Sequence, residues 1–392
     1  MEFSKRMDRF GESIFTVMKN RRTAVEARGQ EVIDFSIGAP NIPPAPHITK
    51  VLSEEALKPE NYLYAIVDLP ELLEAVAQWY LRRYGVALDP KTQITSVLGS
   101  QEGLSHIGLS ILNEGDVVLL PEPCYPVFAD GAALAGAELH YMPLKEENDY
   151  QIDFEEMESK ITDKTKMIVV VNPSNPTGGV FSRETLEKLS EIAIKHDLLV
   201  IADEIYSQLV YDGTEHVSIA SLPGMKERTI TLGGFSKAYS MTGWRLGYMC
   251  APVGIIQACV RVHQYTVTCA SSFVQEAALT ALSDCAEDVE AMRKEYQRRK
   301  DYVVKALNEI DGISCNNPHG AFYIFVNIKS LGMTSMEVAE YLLDNAKIAL
   351  VPGSAFGSEG EGYLRISYAC SYEDLQEACA RIKKAVEELK NK

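Results

Sequence analysis

The sequence predicts a doubly wound α/β sheet joined to a second, smaller α+β unit. Three observations predict it. Unbroken β-branched runs alternate with helical patterns between residues 94 and 250, the pattern changes after about residue 254, and 46% of the 392 residues are apolar. That apolar share supplies a large core.

The elements follow in order. ITSVL (94–98) precedes a helix at 104–112, and DVVLL (116–120) precedes an Ala/Gly-rich helix at 126–136. MIVVV (167–171) leads into the helix ETLEKLSEIAIKH (184–196), and LLVIA (198–202) and TITL (229–232) come next. Runs that stay apolar instead of alternating are parallel strands covered on both faces. Beyond residue 254, helical EDVEAMRKEYQRRKDYVVKAL (287–307) leads to the strand FYIFV (322–326), the helix MEVAEYLLDNA (336–346) and the strand YLRISYA (363–369). The last helix opens at Ser371, an N-cap with Asp374 three residues on. Its apolar face is Leu375, Ala378, Cys379, Ile382, Ala385, Val386 and Leu389.

Charge and composition exclude whole classes. Lys and Arg total 38 against 55 Asp and Glu, a formal charge of −17. A general binder of nucleic acid or of anionic membrane needs a positive field, so neither partner is expected. The N-terminal MEFSKRMDRFGESIF has no basic segment followed by an apolar one, which argues against a secretory signal. No apolar run approaches the roughly 20 residues of a spanning helix. The eight cysteines are scattered without a CxxC pair, neither a disulfide framework nor a closely spaced zinc set. The expectation is a soluble cytoplasmic protein with reduced thiols.

Four segments fall at predicted strand ends, the edge where open α/β sheets bind ligands. GSQEG (99–103) exposes backbone N–H groups at a helix start, suited to phosphate, although Gly-rich turns also serve conformation alone. No GxxxxGK[ST] or GxGxxG occurs. NPSNPTGG (172–179) taken alone reads as a rigid turn with amide side chains able to meet a ligand. In ADEIY (202–206) a carboxylate follows an apolar strand and calls for a cation. Asp203 and Glu204 are adjacent, so they face opposite ways and only one enters a given site, which weighs against a Mg²⁺ pair. In GGFSKAYSMTGWRLGY (233–248), Lys237 among small residues is a candidate Schiff-base amine, with a solvated surface lysine as the ordinary alternative. Arg245, eight residues on, is a second cation suited to phosphate.

In this order and spacing, the NPTG, DEIY and SKAYSMTGWRLGY blocks, with the later YLRISYA, resemble the pyridoxal-phosphate-dependent aminotransferases of fold type I, class I/II. The resemblance spans nearly the whole chain. It implies a large cofactor domain over 49–285 with a mostly parallel seven-stranded sheet, and a small domain formed by both chain ends, 1–48 and 286–392. It implies pyridoxal 5′-phosphate as cofactor, with Lys237 as its Schiff-base lysine and Asp203 as the partner of the ring nitrogen. Tyr206 and Asn175 match the groups at the ring's phenolic oxygen, and Tyr125 matches the aromatic stacked on the ring. Ser100, Gln101, Ser236 and Arg245 match the phosphate cup. Tyr64 resembles a tyrosine that reaches the neighbouring subunit's phosphate, which implies a homodimer. Arg365 matches the arginine that grips the substrate α-carboxylate, assisted by Asn175 and the backbone at Gly38.

The implied activity moves an amino group between an L-amino acid and a 2-oxo acid in ping-pong turns, with Lys237 as general base and Asp203 and Tyr206 tuning the cofactor. Carbon–sulfur β-lyases share the same Lys, Asp and Arg set and are the alternative. A non-catalytic regulator on this fold usually adds a DNA-binding domain, for which no room precedes the match. A Rossmann dehydrogenase is disfavoured by the missing glycine fingerprint. Two departures stand out. VDLPELLEA carries Asp68 and Leu73 where the family often has Gly and Arg, which bears on the local turn. Gly234 replaces a hydroxyl that some members use on phosphate. IGAPNIPPAPHI resembles diaminopimelate-type and broad-specificity relatives.

Overall fold

The computed structural model describes residues 2–391. Three helices, α1 (Ile14–Glu26), α2 (Pro46–Glu55) and α3 (Pro70–Tyr84), precede the larger sheet. Its strands are β1 (Ile94–Val97), β2 (Val117–Glu122), β3 (Glu138–Pro143), β4 (Thr165–Val171), β5 (Leu199–Asp203), β6 (Thr229–Gly234) and β7 (Gly247–Cys250). In space they lie in the order β1-β7-β6-β5-β4-β2-β3. Strand β7 is antiparallel to both β6 and β1, and the other pairings are parallel. Two reversals cancel, so β1 points the same way as β6. The C-terminal ends of the six co-directional strands therefore meet the N-terminal end of β7 at one edge.

Helices cover both faces of this sheet, as the unbroken apolar runs require. From β4, Ile168 and Val170 pack with Leu186, Leu189 and Ile192 of α7 (Arg183–Lys195, which follows α4–α6: Ser100–Ile111, Val127–Ala135 and Phe154–Ser159). Met167, Val169 and Val171 face the other way, onto Leu104 and Ile107 of α4 and onto Ile256 and Cys259 of α8 (Val253–Thr266). The five strands read from the sequence are present. Strands β3 and β7 were not visible as runs: β3, ELHYMP, is a partly exposed edge strand with polar residues, and β7, GYMC, is short and has no β-branched residue.

After α9 (Ser272–Asp284) and α10 (Ala286–Asn308) comes a smaller antiparallel sheet. It contains β8 (Ser314–Cys315), β9 (Tyr323–Asn327), β10 (Val351–Pro352) and β11 (Tyr363–Ser367), in the order β10-β11-β9-β8. Helices α11 (Ser335–Ala346) and α12 (Tyr372–Lys390) pack on it. Ser371 caps α12 by accepting from the Asp374 N–H, and the expected apolar face is buried apart from half-buried Leu389. Met18, Val25 and Phe35 share one core with Tyr296, Leu342, Ile366 and Leu375, so the two chain ends pack together. Among the described residues the eight cysteines are free, and no helix is long and apolar enough to cross a membrane.

Candidate active site

The shared sheet edge opens on a cavity of about 290 Å³. Its wall includes Gly38, Ser100, Gln101, Tyr125, Asn175, Asp203, Tyr206, Ser236, Lys237, Arg245 and Arg365, every site residue read from the sequence except Tyr64. Each arrives for a local reason. Asp203 ends β5, and Glu204 turns away to the far side, where Tyr80 Oη approaches it at 3.5 Å. Asn175 sits on a loop that braces itself: Ser174 N–H donates to Gly179 O, Gly178 N–H to Ser174 O, and Phe181 N–H to Asn172 Oδ1. The segment after β6 is closed at both ends, Phe235 N–H donating to Leu246 O and Met241 N–H to Phe235 O. That closure fixes Ser236 and Lys237 at its start and Arg245 at its end.

The ionisable groups are shifted toward neutrality. Lys237 Nζ donates to Gly38 O at 2.5 Å and lies 5.5 Å from the Tyr206 ring centroid. Burial, with Arg365 nearby, lowers its ammonium to about 8, against the opposing pull of Asp203. Burial pushes the Asp203 carboxyl up to about 6, although the Ile205 N–H donates to it at 3.0 Å. Tyr206 Oη and Tyr323 Oη are 2.8 Å apart. A side chain at Gly38 would strike Tyr323 Oη at 2.7 Å, so the glycine lets the backbone approach.

Arg365 is 2% exposed and enclosed by aromatic rings, 4.5 Å from the Tyr323 centroid and 5.0 Å from that of Phe356. Its Nη1 donates to Asn175 Oδ1 at 3.0 Å and its Nη2 to Ser36 O at 2.8 Å, while Nε is buried without a partner. Arg245 donates to Thr242 O and Leu98 O at 3.0 and 3.1 Å. Gly99, the α4 N-cap, has φ +86°, and a Cβ there would collide with the Arg245 guanidinium. With no side chain capping α4, its first N–H groups add positive potential beside that arginine. Among the described residues, no carboxylate lies within ion-pair distance of Lys237, Arg245 or Arg365. A buried guanidinium without an anion calls for one from outside the chain.

Comparison with known proteins decides the family. Residues 30–382 match the family model for aminotransferase class I and II. The chain belongs to that family. The aromatic-amino-acid aminotransferase 2 of Thermococcus litoralis is 42% identical over 93% of this chain and 94% of its own. The aspartate aminotransferase of Pyrococcus abyssi is 43% identical over the same shares, 93% and 94%. The crystal structure of the aromatic aminotransferase from Pyrococcus horikoshii OT3 superposes with a TM-score of 0.90 at 41% identity, covering 95% of this chain and 99% of that one. The protein is thus an enzyme, a transferase of amino groups.

The aminotransferase cavity also has walls that sequence reading did not assign. Tyr323, Ser36 and Thr242 line it. The Thr242 hydroxyl donates to Ser236 O at 3.1 Å, and Ser36 supplies its carbonyl to Arg365. Phe15, in the FGESIF segment, joins Tyr125 edge-to-face with centroids 5.9 Å apart. Gly38 O accepts from Lys237 Nζ, and Ser36 O accepts from Arg365 Nη2. Asp68, a departure from the family pattern, accepts from Thr95 Oγ1 at 2.9 Å, Ser96 N at 3.1 Å and Ser96 Oγ at 2.5 Å. It pins the preceding loop to β1, the strand that leads into Gly99.

Proposed function

We propose that this aminotransferase holds pyridoxal 5′-phosphate in the cavity and passes an amino group between an L-amino acid and a 2-oxo acid. One observation carries the reading: a half-buried lysine and a buried aspartate, each displaced toward its neutral form, share a cavity with two guanidinium groups that no carboxylate among the described residues neutralises. The donor set suits the cofactor's two polar ends. Ser100, Gln101, Ser236 and Arg245, with the uncapped start of α4, would hold the phosphate. Asp203 would hold the ring nitrogen's proton, Tyr206 and Asn175 its phenolic oxygen, and Tyr125 its face. When bound, that cofactor supplies a carbonyl that condenses with amines and a ring that accepts the electrons of a broken C–H bond.

The chain's own groups do the rest. Arg365 receives the substrate α-carboxylate, its planar fork held by Asn175 and Ser36 and its Nε left without an internal partner. Lys237 Nζ takes up the α-proton and returns it, a role suited to an amine lowered to about 8. Aromatic walls from Phe15, Tyr125 and Tyr323 limit water. We place the cofactor in a unit over 49–285 and Arg365 in one formed by 1–48 and 286–392. Tyr64 is 91% exposed beside exposed Tyr62, Leu63, Ile66 and Val67. That patch supports a homodimer in which Tyr64 reaches the other copy's cavity, and the free thiols suit the reducing cytoplasm.

Lys237→Ala tests the reading. The absorption band that depends on a covalent link between Lys237 and the cofactor disappears, and turnover falls by about 10³-fold or more. An unchanged spectrum and rate overturns it.

A further inference from the structure

Behind the first turn of α4, two imidazoles and a carboxylate meet in the interior. Glu102 and His106 are four residues apart, so they project from one face of that helix. Helix α8 packs there and contributes His263. Glu102 Oε2 lies 3.5 Å from His263 Nδ1, and Glu102 Oε1 lies 3.8 Å from His106 Nε2. One ligating atom from each residue falls within 4.8 Å of the other two. His106 and His263 are 2% and 4% exposed, yet His106 Nδ1 and both nitrogens of His263 lack a hydrogen-bond partner. Among the described residues, His263 alone has two such buried atoms. The remaining contacts are few: Leu98 N–H donates to Glu102 Oε2 at 2.5 Å, and Thr266 Oγ1 lies 3.3 Å from His106 Nε2. Buried imidazole nitrogens left without partners require an explanation.

The spacing suits coordination better than hydrogen bonding. Four ligands placed tetrahedrally at zinc's bond lengths of about 2.0–2.1 Å stand about 3.3 Å apart. The two Glu102 contacts run through different oxygens, 3.5 Å for Oε2 and 3.8 Å for Oε1, and both are long for a hydrogen bond; one ligating atom from each residue lies within 4.8 Å of the others, so modest side-chain rotations bring the set onto one ion. His263 lies in the last turn of α8, whose negative end favours a cation, and the Glu102 carboxylate offsets the positive start of α4. His263 also lines a second cavity, of about 300 Å³, with Gln257, Val260 and Gln264, which gives an ion a way in.

We propose that Glu102, His106 and His263 form a binding site for a divalent zinc-class ion that ties α4 to α8. Three protein ligands leave the fourth position to water, and the donors are nitrogen and oxygen only. The site stands independently of the cofactor reading. A competing cluster, His47, Cys285 and Asp288, lies nearer the surface, and its groups already meet: His47 Nε2 is 3.0 Å from Cys285 Sγ.

The test uses the holoenzyme, stripped of metal with a chelator and titrated with zinc chloride by calorimetry. One zinc binds per chain, and zinc-edge X-ray absorption shows a nitrogen/oxygen shell without sulfur. His263→Ala and His106→Ala each weaken binding by about tenfold or more, while His47→Ala leaves it intact. If one histidine variant fails to fold, the other carries the comparison. No zinc uptake, a sulfur neighbour, or uptake that survives both histidine variants and falls with His47→Ala overturns the proposal.

Discussion

Asp203 illustrates how a single residue trades stability for a site. Its carboxyl is raised by burial from 3.8 to about 6, so the folded chain keeps a proton that the unfolded chain releases. Stability tied to that proton is complete below about pH 4 and is lost as pH rises through about 6. The displacement amounts to ~3 kcal/mol against folding at pH 7. Asp203→Asn should therefore stabilise the cofactor-free protein by up to ~3 kcal/mol at pH 7 and by little at pH 4, as urea melts at the two pH values will show. On the proposed cofactor placement the same substitution should lower turnover, because the ring nitrogen would lose its anionic partner. Arg365 offers the complementary experiment. Arg365→Lys keeps the charge but loses the fork held by Asn175 and Ser36. KM for the amino donor should rise about 10–100-fold, the equivalent of ~1.5–3 kcal/mol, more than kcat falls.

At the scale of elements, the site depends on how strands end. Gly99 joins β1 to α4 at φ +86°, in the path of the Arg245 guanidinium. Gly99→Ala strains the backbone and displaces that arginine together. The expected result is weaker cofactor retention on gel filtration, with the fold preserved by circular dichroism. Asp68 acts one step earlier, through its bonds to Thr95 and Ser96. Asp68→Ala leaves those donors unmatched and should cost about 2 kcal/mol of stability, measured by denaturant unfolding.

The same scale explains what sequence could and could not reveal. Strand-end blocks such as NPTG, DEIY and SKAYS were legible because unusual small, polar and charged residues interrupt apolar runs there. Tyr323 was not, because inside FYIFV a tyrosine is indistinguishable from core. Only the pairing of β9 with β11, with Tyr323 opposite Ser367 and Phe325 opposite Arg365, sets its ring beside the guanidinium. Glu102 and the two histidines were hidden for a related reason: α4 and α8 are far apart in sequence and meet only in the fold. Strand β7 escaped because four residues, GYMC, are too few to show a period.

For the whole molecule, a formal charge of −17 surrounds a cavity in which three cations, Lys237, Arg245 and Arg365, outnumber the one carboxylate, Asp203. Net charge argues against nucleic-acid and anionic-membrane partners, and the placement of Lys237, Arg245 and Arg365 points to anionic ligands. The exposed stretch from Tyr62 to Val67 belongs to this scale too, since a single copy leaves it uncovered. Replacing both Ile66 and Val67 with Asp buries two unpaired charges in any interface there. Light scattering should then give about half the wild-type mass, whereas an unchanged mass would place the contact elsewhere.

The reversed direction of β7 has a consequence for how the chain can be re-engineered. Because β6 leaves and β7 enters at the same edge, residues 235–246 form a clasp with the amine near one end and the guanidinium near the other. A circular permutant whose termini open inside that clasp separates the two grips and lets both drift. One opened at the exposed turn around Lys91, where the chain enters β1 at the opposite edge, leaves them tethered.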